Sequence, residues 1–263
     1  MCVFKSKFTL FIFVFIFYLQ NNYAQLHEND TARWQVNAAL SGKFNSGNVI
    51  RFIITPELNI THIPKNKKYG FALNERYTYG TFKKVRSEND LFSRNFFYLF
   101  PAKKVYPYLM YWMQTHNGQQ LKFRYQIGIG ATYVPINKKG QVVKISGTFT
   151  FEQNWFRENK LTYIRDTTSS KYNTFRFTVR IYGRHFLAKD ILEFFYETYF
   201  QQSLNNKHNF HFYLESGLNV RIIKGFSLKT FLTYEYQNVH ILRLKPNDLV
   251  FNFGINYRYF SKI

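Results

Sequence analysis

Residues 121–133, LKFRYQIGIGATY, alternate between two kinds of side chain along the whole stretch. The odd positions are apolar or aromatic, and the even positions are charged, polar or glycine. Strict alternation predicts a β-strand with one apolar and one polar face. A soluble strand usually has about 5–6 residues, whereas about 9–11 tilted residues cross the hydrocarbon layer of a bilayer. The stretch therefore predicts a transmembrane strand with its apolar face toward lipid and its polar face toward a lumen.

The composition of the chain favours the same fold over a soluble domain. Aromatic residues make up 21% of the 263 residues, yet the mean hydropathy is −0.33. A membrane β-barrel needs both, because apolar residues cover its outside while polar residues fill its inside. The formal net charge of +21 can indicate a nucleic-acid partner. Many lysines lie in predicted turns, however, so we expect contact with outer-membrane lipid headgroups and no nucleic acid. These lysines are Lys65, Lys67, Lys68, Lys103, Lys104, Lys138 and Lys139.

The N-terminal segment has the order of a secretory leader. Two lysines precede the apolar run 8–19, and a small residue, Ala24, follows it. The run is shorter than a membrane-spanning helix requires, and the charged, apolar, small order is typical of a signal peptide. We expect residues 1–24 to be a signal peptide and residues 25–263 to form an outer-membrane barrel domain, with an uncleaved anchor as the alternative. Cys2 is the only cysteine, so the mature chain would have no disulfide or thiol nucleophile.

Alternating segments follow one another to the C-terminus without a domain-scale linker. We count about twelve, and an even number lets a single chain close as an antiparallel up-and-down barrel. Pro56 lies inside the second segment and predicts a bulge, because proline removes a ladder hydrogen bond. The facing of residues 89–100 and 105–114 stays open, since apolar residues of both parities occur there. The aromatic strand at residues 251–259, FNFGINYRY, favours recognition by the outer-membrane assembly machinery.

The connections between these segments predict an orientation. Outer-membrane barrels have short periplasmic turns and longer external loops. With both termini periplasmic, the even-numbered connections should be short, and the odd-numbered ones, apart from the first at 45–48, should be long. The expected short connections are 64–68, 101–104, 135–141, 185–188 and 221–225, and the expected long ones include 83–88, 157–171 and 238–247.

Two glycine-centred segments resemble a known family. Residues 41–48, SGKFNSGN, follow a strand opened by Trp34 and resemble the signature of domain of unknown function 481, often labelled salt-induced outer membrane protein. Residues 125–133, with Gly128 and Gly130, are similar to that family's central strand. The resemblance covers the chain from about Trp34 onward and implies a barrel. It implies no activity, since the family has no established reaction or ligand.

The inward parity of the strands gathers charged residues in the lumen. If the eighth and ninth strands pair around a turn at 185–188, Arg180 faces Glu193 and Arg176 faces Glu197, and each pair contributes about 0.2–1 kcal/mol. Such a lumen is either a side-chain plug or a selective passage, and the narrow bore of about twelve strands favours the plug. The expected lumen-lining charges are Lys122, Arg124, Lys144, Glu152, Arg176, Arg180, Glu193, Glu197, Glu215, Lys229, Glu235 and Arg258.

Candidate catalytic and metal-binding residues are few. Residues 115–118, THNG, partly resemble the histidine-containing stretch of outer-membrane phospholipase A, but Gly118 stands where the nucleophilic serine is expected. A turn is therefore the favoured interpretation of His116. His211 should lie in the lumen beside Glu215, and one histidine with one carboxylate favours a hydrogen-bonded histidine over a metal site. No glycine-rich phosphate loop opens a helix, so nucleotide binding is unsupported.

The sequence thus predicts an exported, all-β, roughly twelve-stranded transmembrane barrel in the outer membrane of a diderm bacterium. We expect no cofactor, no metal and no catalytic residues. The expected role is structural, or that of a narrow porin-like channel for small solutes that the sequence does not identify. The alternatives are an outer-membrane lipid hydrolase, of the phospholipase or lipid A deacylase type, and a lipocalin-like binder.

Overall fold

A closed β-barrel is formed by the residues that the computed structural model describes, which are 32–45, 51–138, 140–164, 169–188 and 191–262. Within them, twelve antiparallel strands each pair with the strands before and after them in sequence, and β1 pairs with β12 to close the barrel. The predicted up-and-down barrel is therefore confirmed, whereas the predicted leader lies outside the described residues. The strands are β1 (Ala32–Asn45), β2 (Arg51–His62), β3 (Tyr69–Phe82), β4 (Val85–Leu99), β5 (Val105–His116), β6 (Leu121–Lys138), β7 (Gln141–Phe156), β8 (Lys171–Leu187), β9 (Leu192–Ser203), β10 (Phe210–Ile223), β11 (Phe226–Gln237) and β12 (Asn247–Lys262).

The outer wall of the barrel is apolar. Along each strand, large apolar side chains such as Leu109, Ile129 and Phe253 are exposed on the outside, while the alternate residues point into the lumen. A continuous apolar wall of this kind is stable in contact with hydrocarbon and not with water. The strands therefore cross a membrane. Among the described residues, no helix is long and apolar enough to span one.

The two ends of the barrel differ in their connections. We call the end with Ala32 and Lys262 the terminal mouth and the opposite end the distal mouth. The described connections at the terminal mouth have six residues or fewer, and the two longest connections, 157–170 and 238–246, are distal. One distal prediction is wrong: β3 and β4 are joined by a tight turn at Lys83 and Lys84, with φ of 49° and 66°, because residues 85–88 extend β4. The turn predicted at 45–48 lies largely outside the described residues.

One prediction about β2 is wrong, and the facing of β4 and β5, which the sequence left open, is now defined. The bulge expected at Pro56 is absent, because the register of β2 with β1 runs through it unchanged and the register with β3 is the same before and after it. The lost N–H therefore interrupts the ladder without inserting a residue. In β4 and β5 the residues Phe96 and Trp112 are buried inside, whereas Phe97 and Leu109 are exposed outside.

The opening alternation of β6 is broken at its first residues by a bulge. Leu121 pairs with Phe156 and Phe123 with Trp155, which leaves Lys122 as the extra residue. Leu121 is consequently buried in the lumen and Lys122 is exposed, the reverse of the predicted facing. The physical reason is that Leu121 enters an apolar cluster while the lysine keeps its hydration.

Candidate functional site

Parts of two connections, 157–164 and 238–246, meet at the distal mouth. Leu161 and Ile241 pair as an isolated antiparallel bridge. On either side of it, the N–H of Thr162 donates to the carbonyl of His240 at 2.9 Å, and the N–H of Leu242 donates to a carbonyl at 3.0 Å. We call the buried apolar cluster that includes this bridge the distal cap. It consists of Leu121, Phe156, Leu161, Val239 and Ile241.

Below the distal cap lies a charged pair that is wholly excluded from solvent. Arg176 donates from Nε and Nη2 to the two oxygens of Glu152, both at 2.8 Å, and both side chains are 0% exposed. Gln126 and Asn154 each donate a further hydrogen bond to Glu152 at 2.6 Å. A buried carboxylate is tolerated when charge and hydrogen bonds satisfy it fully. Glu152 meets that condition.

Neutral amides extend this pair into a network across the lumen. Arg124 donates to Asn154 on β7 at 2.5 Å and to Gln237 on β11 at 3.0 Å. Gln201 on β9 donates to Gln126 on β6 at 3.2 Å. These bonds join strands from different sides of the barrel, and all the side chains are almost fully buried. The distal half of the lumen is therefore crossed by buried side chains that bond to one another. We call this set the distal network.

The terminal half of the lumen also holds ion pairs, but these face a cavity. Glu57 lies 2.6 Å from Nζ of Lys229 and 3.3 Å from Nε of Arg76, and Arg76 Nη2 lies 2.7 Å from Glu215. These contacts connect β2, β3, β10 and β11. One carboxylate thus bridges two cations from different strands.

A second set repeats this pattern on the β8 and β9 side. Glu197 lies 2.6 Å from Arg94 Nη2 and 2.9 Å from Arg180 Nη2. Glu193 receives two hydrogen bonds from Arg258, at 2.7 and 3.1 Å, across to β12. The arginines are thereby held against the wall, and they leave space at the centre.

That space is a cavity of about 150 Å³, which we call the vestibule. The side chains of Arg76 and Arg180, which line it, remain 25% and 21% exposed, so solvent reaches them. A further cavity of about 240 Å³ lies at the terminal mouth, lined by Lys103, Lys104 and Lys144 among others, and no carboxylate is among its described lining residues. The lumen thus holds a solvent-accessible vestibule in its terminal half and a buried, hydrogen-bonded network in its distal half.

The family of the chain follows from its sequence over this same barrel. A family model described as "Protein of unknown function, DUF481" matches residues 38–259, nearly the whole described barrel. The chain belongs to the DUF481 family. No curated protein matches this DUF481 chain. The salt-induced label suggested by the resemblance stays a prediction.

Solved structures similar to this DUF481 barrel are outer-membrane proteins of low sequence identity. The NanC porin is 9% identical with a TM-score of 0.46, covering 87% of this chain and 99% of the porin. The translocator domain of autotransporter NalP from Neisseria meningitidis is 12% identical with a TM-score of 0.49, at 89% and 91% coverage. The COG4313 outer membrane channel from Pseudomonas putida F1 is 10% identical with a TM-score of 0.45, at 92% and 98% coverage. Similarities this weak carry no argument about function.

Most of the sequence-predicted lumen charges of this DUF481 chain lie inside the barrel. Lys122 does not, because the bulge in β6 exposes it. Glu235 is half-buried on β11 opposite Tyr213, and none of the ion pairs among described residues includes it. Lys144 lies at the terminal mouth. The remaining predicted residues belong to the distal network or to the ion pairs around the vestibule: Arg124, Glu152, Arg176, Arg180, Glu193, Glu197, Glu215, Lys229 and Arg258.

The predicted register of β8 and β9 is wrong. The connection lies at 188–191 instead of 185–188, so Arg180 faces Tyr199 and Arg176 faces Ser203. The arginines consequently find other partners: Arg180 reaches Glu197 diagonally, and Arg176 pairs with Glu152 on β7. Because the predicted turn lies three residues before the observed one, every predicted β8–β9 pair differs from the observed pair.

Sequence reasoning missed several charged residues of the lumen. Glu57, Arg76, Arg94 and Arg184 line the vestibule. Arg76 and Arg184 occupy the inward parity of their strands, which was the signal available. Arg94 had none, because the facing of β4 could not be assigned.

The two histidines considered for chemistry have structural partners. His116 accepts a hydrogen bond from the N–H of Gln119 at 3.3 Å and lies 3.8 Å from Asp90, so it closes the β5–β6 turn. His211 is buried with Nε2 3.3 Å from Arg176, in the distal network and not beside Glu215 as expected. In the part of the chain that the structure describes, no cluster of three His, Cys, Asp or Glu could hold a metal.

Proposed function

We propose that this protein is a closed outer-membrane barrel with a structural role, and not a constitutively open pore. The observation that supports this most strongly is the distal network, whose hydrogen bonds span the lumen with almost no exposure of the side chains. Breaking these bonds to admit water or solute would leave Glu152 and the arginines without partners, which is costly inside a protein. The plug interpretation of the mixed-charge lumen is thus the favoured one.

Planar-bilayer recording tests this proposal directly. The purified, refolded wild-type barrel should show no conductance steps at moderate voltage, and Arg124→Ala should introduce them, because it removes bonds to β7 and β11 at once. Arg157→Ala, an exposed arginine at the distal mouth, is the control for loss of charge and should remain silent. Steady conductance of the wild-type barrel would contradict the proposal.

The second candidate is a gated narrow channel. It is favoured by the makeup of the distal cap, which includes residues from two connections, because connections move more readily than strands. Leu161 and Ile241 form a bridge pair whose Cα separation suits a disulfide. In the Leu161→Cys/Ile241→Cys variant, a gated channel would conduct at high voltage when reduced and stop when oxidised. A structural barrel would be silent in both states.

The membrane and the export route are part of the same proposal. An apolar wall twelve strands wide, the charged, apolar, small order predicted as a leader at residues 1–24, and an aromatic last strand together support insertion into the outer membrane of a diderm bacterium by its assembly machinery. The lysines of the terminal mouth support contact with anionic lipid headgroups. Mass measurement of the exported protein tests cleavage after Ala24, and retention of residues 1–24 would contradict it.

The enzyme alternative has less support. His116 is engaged by a turn N–H, and no described hydrogen bond joins it to a hydroxyl group that could act as a nucleophile. Turnover of phospholipid or lipid A that His116→Ala abolishes would establish the hydrolase instead. The lipocalin-like binder requires solubility without detergent, which the apolar outer wall opposes.

A further inference from the structure

Three arginines from different strands bring their guanidinium groups together in the vestibule. Arg94 and Arg180 share the carboxylate of Glu197, at 2.6 and 2.9 Å. Arg76 and Arg94 lie over the same ring, that of Phe92, with their Cζ atoms 5.9 and 5.5 Å from its centroid. All three arginines line the cavity. We call Arg76, Arg94 and Arg180 the arginine cluster.

The arginines that face the open space are more exposed than their carboxylate partners. The side chain of Arg76 is 25% exposed, whereas the two glutamates that contact it are 4% and 14% exposed. The side chain of Arg180 is 21% exposed, against 14% for Glu197. Arg94 is the more deeply buried arginine, at 9%. The open space of the vestibule therefore lies against Arg76 and Arg180 more than against the glutamates.

These two arginines keep hydrogen-bond donors for a further partner. Nη2 of Arg76 donates to Glu215 at 2.7 Å, and Nη2 of Arg180 donates to Glu197 at 2.9 Å. Within the described structure, Nη1 of neither arginine donates a hydrogen bond, and neither Nη1 is among the buried polar atoms that lack a partner. Both Nη1 groups are therefore accessible to solvent.

The charge balance around the vestibule favours an anion as that partner. Six of its described lining residues are cationic and four are carboxylates. Glu193 is not among the lining residues, but it contacts Arg184 and Arg258 at 3.9 and 2.7 Å, so six cations stand against five carboxylates in the described residues. A confined space with an excess of positive charge attracts anions from solution.

We propose that the arginine cluster binds a small oxyanion, of the size of phosphate or a short carboxylate, that enters the vestibule from solution. Its oxygens accept hydrogen bonds from Nη1 of Arg76 and Nη1 of Arg180, because the planar donors of arginine match the oxygens of these anions. The cavity of about 150 Å³ holds an ion of this size. This binding goes beyond the structural role proposed above. It applies to a silent barrel and to a gated channel alike, so its failure would leave the conductance test unaffected.

Phosphorus NMR of inorganic phosphate tests the site in the refolded barrel, in dodecyl maltoside, which contains no phosphate. The phosphate resonance should show saturable binding to the wild-type barrel. Arg180→Met should weaken the affinity at least about tenfold, because it removes a charged donor while Glu197 keeps Arg94. Arg157→Met removes an exposed arginine at the distal mouth and should leave the affinity unchanged. Absence of saturable binding to the wild type, or equal affinities of all three proteins, would overturn the proposal.

Recognition of an oxyanion is separated from simple attraction to positive charge by Arg180→Lys. Lysine keeps the charge but loses the planar donors, so the affinity for phosphate should fall about threefold to tenfold, the range expected for one lost hydrogen bond. Acetate should displace phosphate, and chloride at the same ionic strength should not. A wild-type affinity of Arg180→Lys, or displacement by chloride as efficient as by acetate, would contradict an oxyanion site. Heat-modifiable migration in gels verifies that each variant is folded before its affinity is compared.

Discussion

Each half of the lumen contains an arginine–glutamate ion pair, but the surroundings of the two pairs differ. Arg176 and Glu152 in the distal network are both 0% exposed, whereas Arg180 and Glu197 beside the vestibule are 21% and 14% exposed. The distal pair is completed by neutral amides, and the vestibule pair is shared with a second arginine, Arg94. The comparison teaches that ion pairs alone do not fill this lumen. In the distal half, amide side chains satisfy the charges and fill the remaining space.

The largest expected effect concerns the distal ion pair. Arg176→Met should lower the free energy of unfolding by about 3–5 kcal/mol, because it leaves Glu152 buried without its cation. Arg180→Met, the matched change beside the vestibule, should cost less, about 1 kcal/mol, because Glu197 keeps its second cation, Arg94, and solvent reaches this partly buried pair. Urea unfolding in lipid vesicles, followed by tryptophan fluorescence, measures both. Equal losses for the two variants would remove the distinction between the halves.

The distal cap provides the next largest effect. Leu161→Ala should destabilise the barrel by about 2–4 kcal/mol, since Leu161 is 4% exposed and its removal leaves a cavity. Leu242→Ala is the control, because this neighbouring connection residue is 63% exposed and should change stability by about 0.5 kcal/mol or less. The same unfolding measurement applies. Similar losses of stability for Leu161→Ala and Leu242→Ala would contradict a contribution of the distal cap to closure.

The smallest expected effect concerns lipid association at the two mouths of the barrel. Lys103→Gln/Lys104→Gln at the terminal mouth should weaken association with phosphatidylglycerol by about 1 kcal/mol per lysine at most. Lys83→Gln/Lys84→Gln makes the same change at a distal turn and should have less effect, because Glu88 lies near that turn and pairs there with Arg51. Spin-labelled lipid association in vesicles compares the pairs. A larger loss of lipid association for the distal pair would contradict the proposed lipid contact at the terminal mouth.

The sequence predicted the strands and most of their facing because alternation is a local property of each segment. It could not predict the β8–β9 register, since this depends on where a turn closes, and a shift of the turn from 185–188 to 188–191 re-paired Arg176 and Arg180. Leu121 was misplaced for a similar reason: one bulge residue reverses the facing of a strand end.

The candidate site was less predictable than the fold. Which inward charges meet across the lumen depends on the stagger of all twelve strands, so contacts such as Arg258 with Glu193 have no local signal. The amides Gln126 and Gln201 were visible as inward polar residues, but nothing in the sequence indicated that they bond to each other. The strand alternation alone places Glu75 on the outward face of β3. Its hydrogen bond from Ser93 is shown only by the structure.

The most direct test of one-sided closure is the accessibility of single cysteines in the lumen, in a Cys2→Ser background. Asn59→Cys lies in the vestibule and Thr178→Cys lies beside Gln201 in the distal half. A membrane-impermeant maleimide should modify Asn59→Cys only from the side of the terminal mouth, and Thr178→Cys from neither side. Rapid modification of either cysteine from the distal side would contradict a lumen sealed at that end.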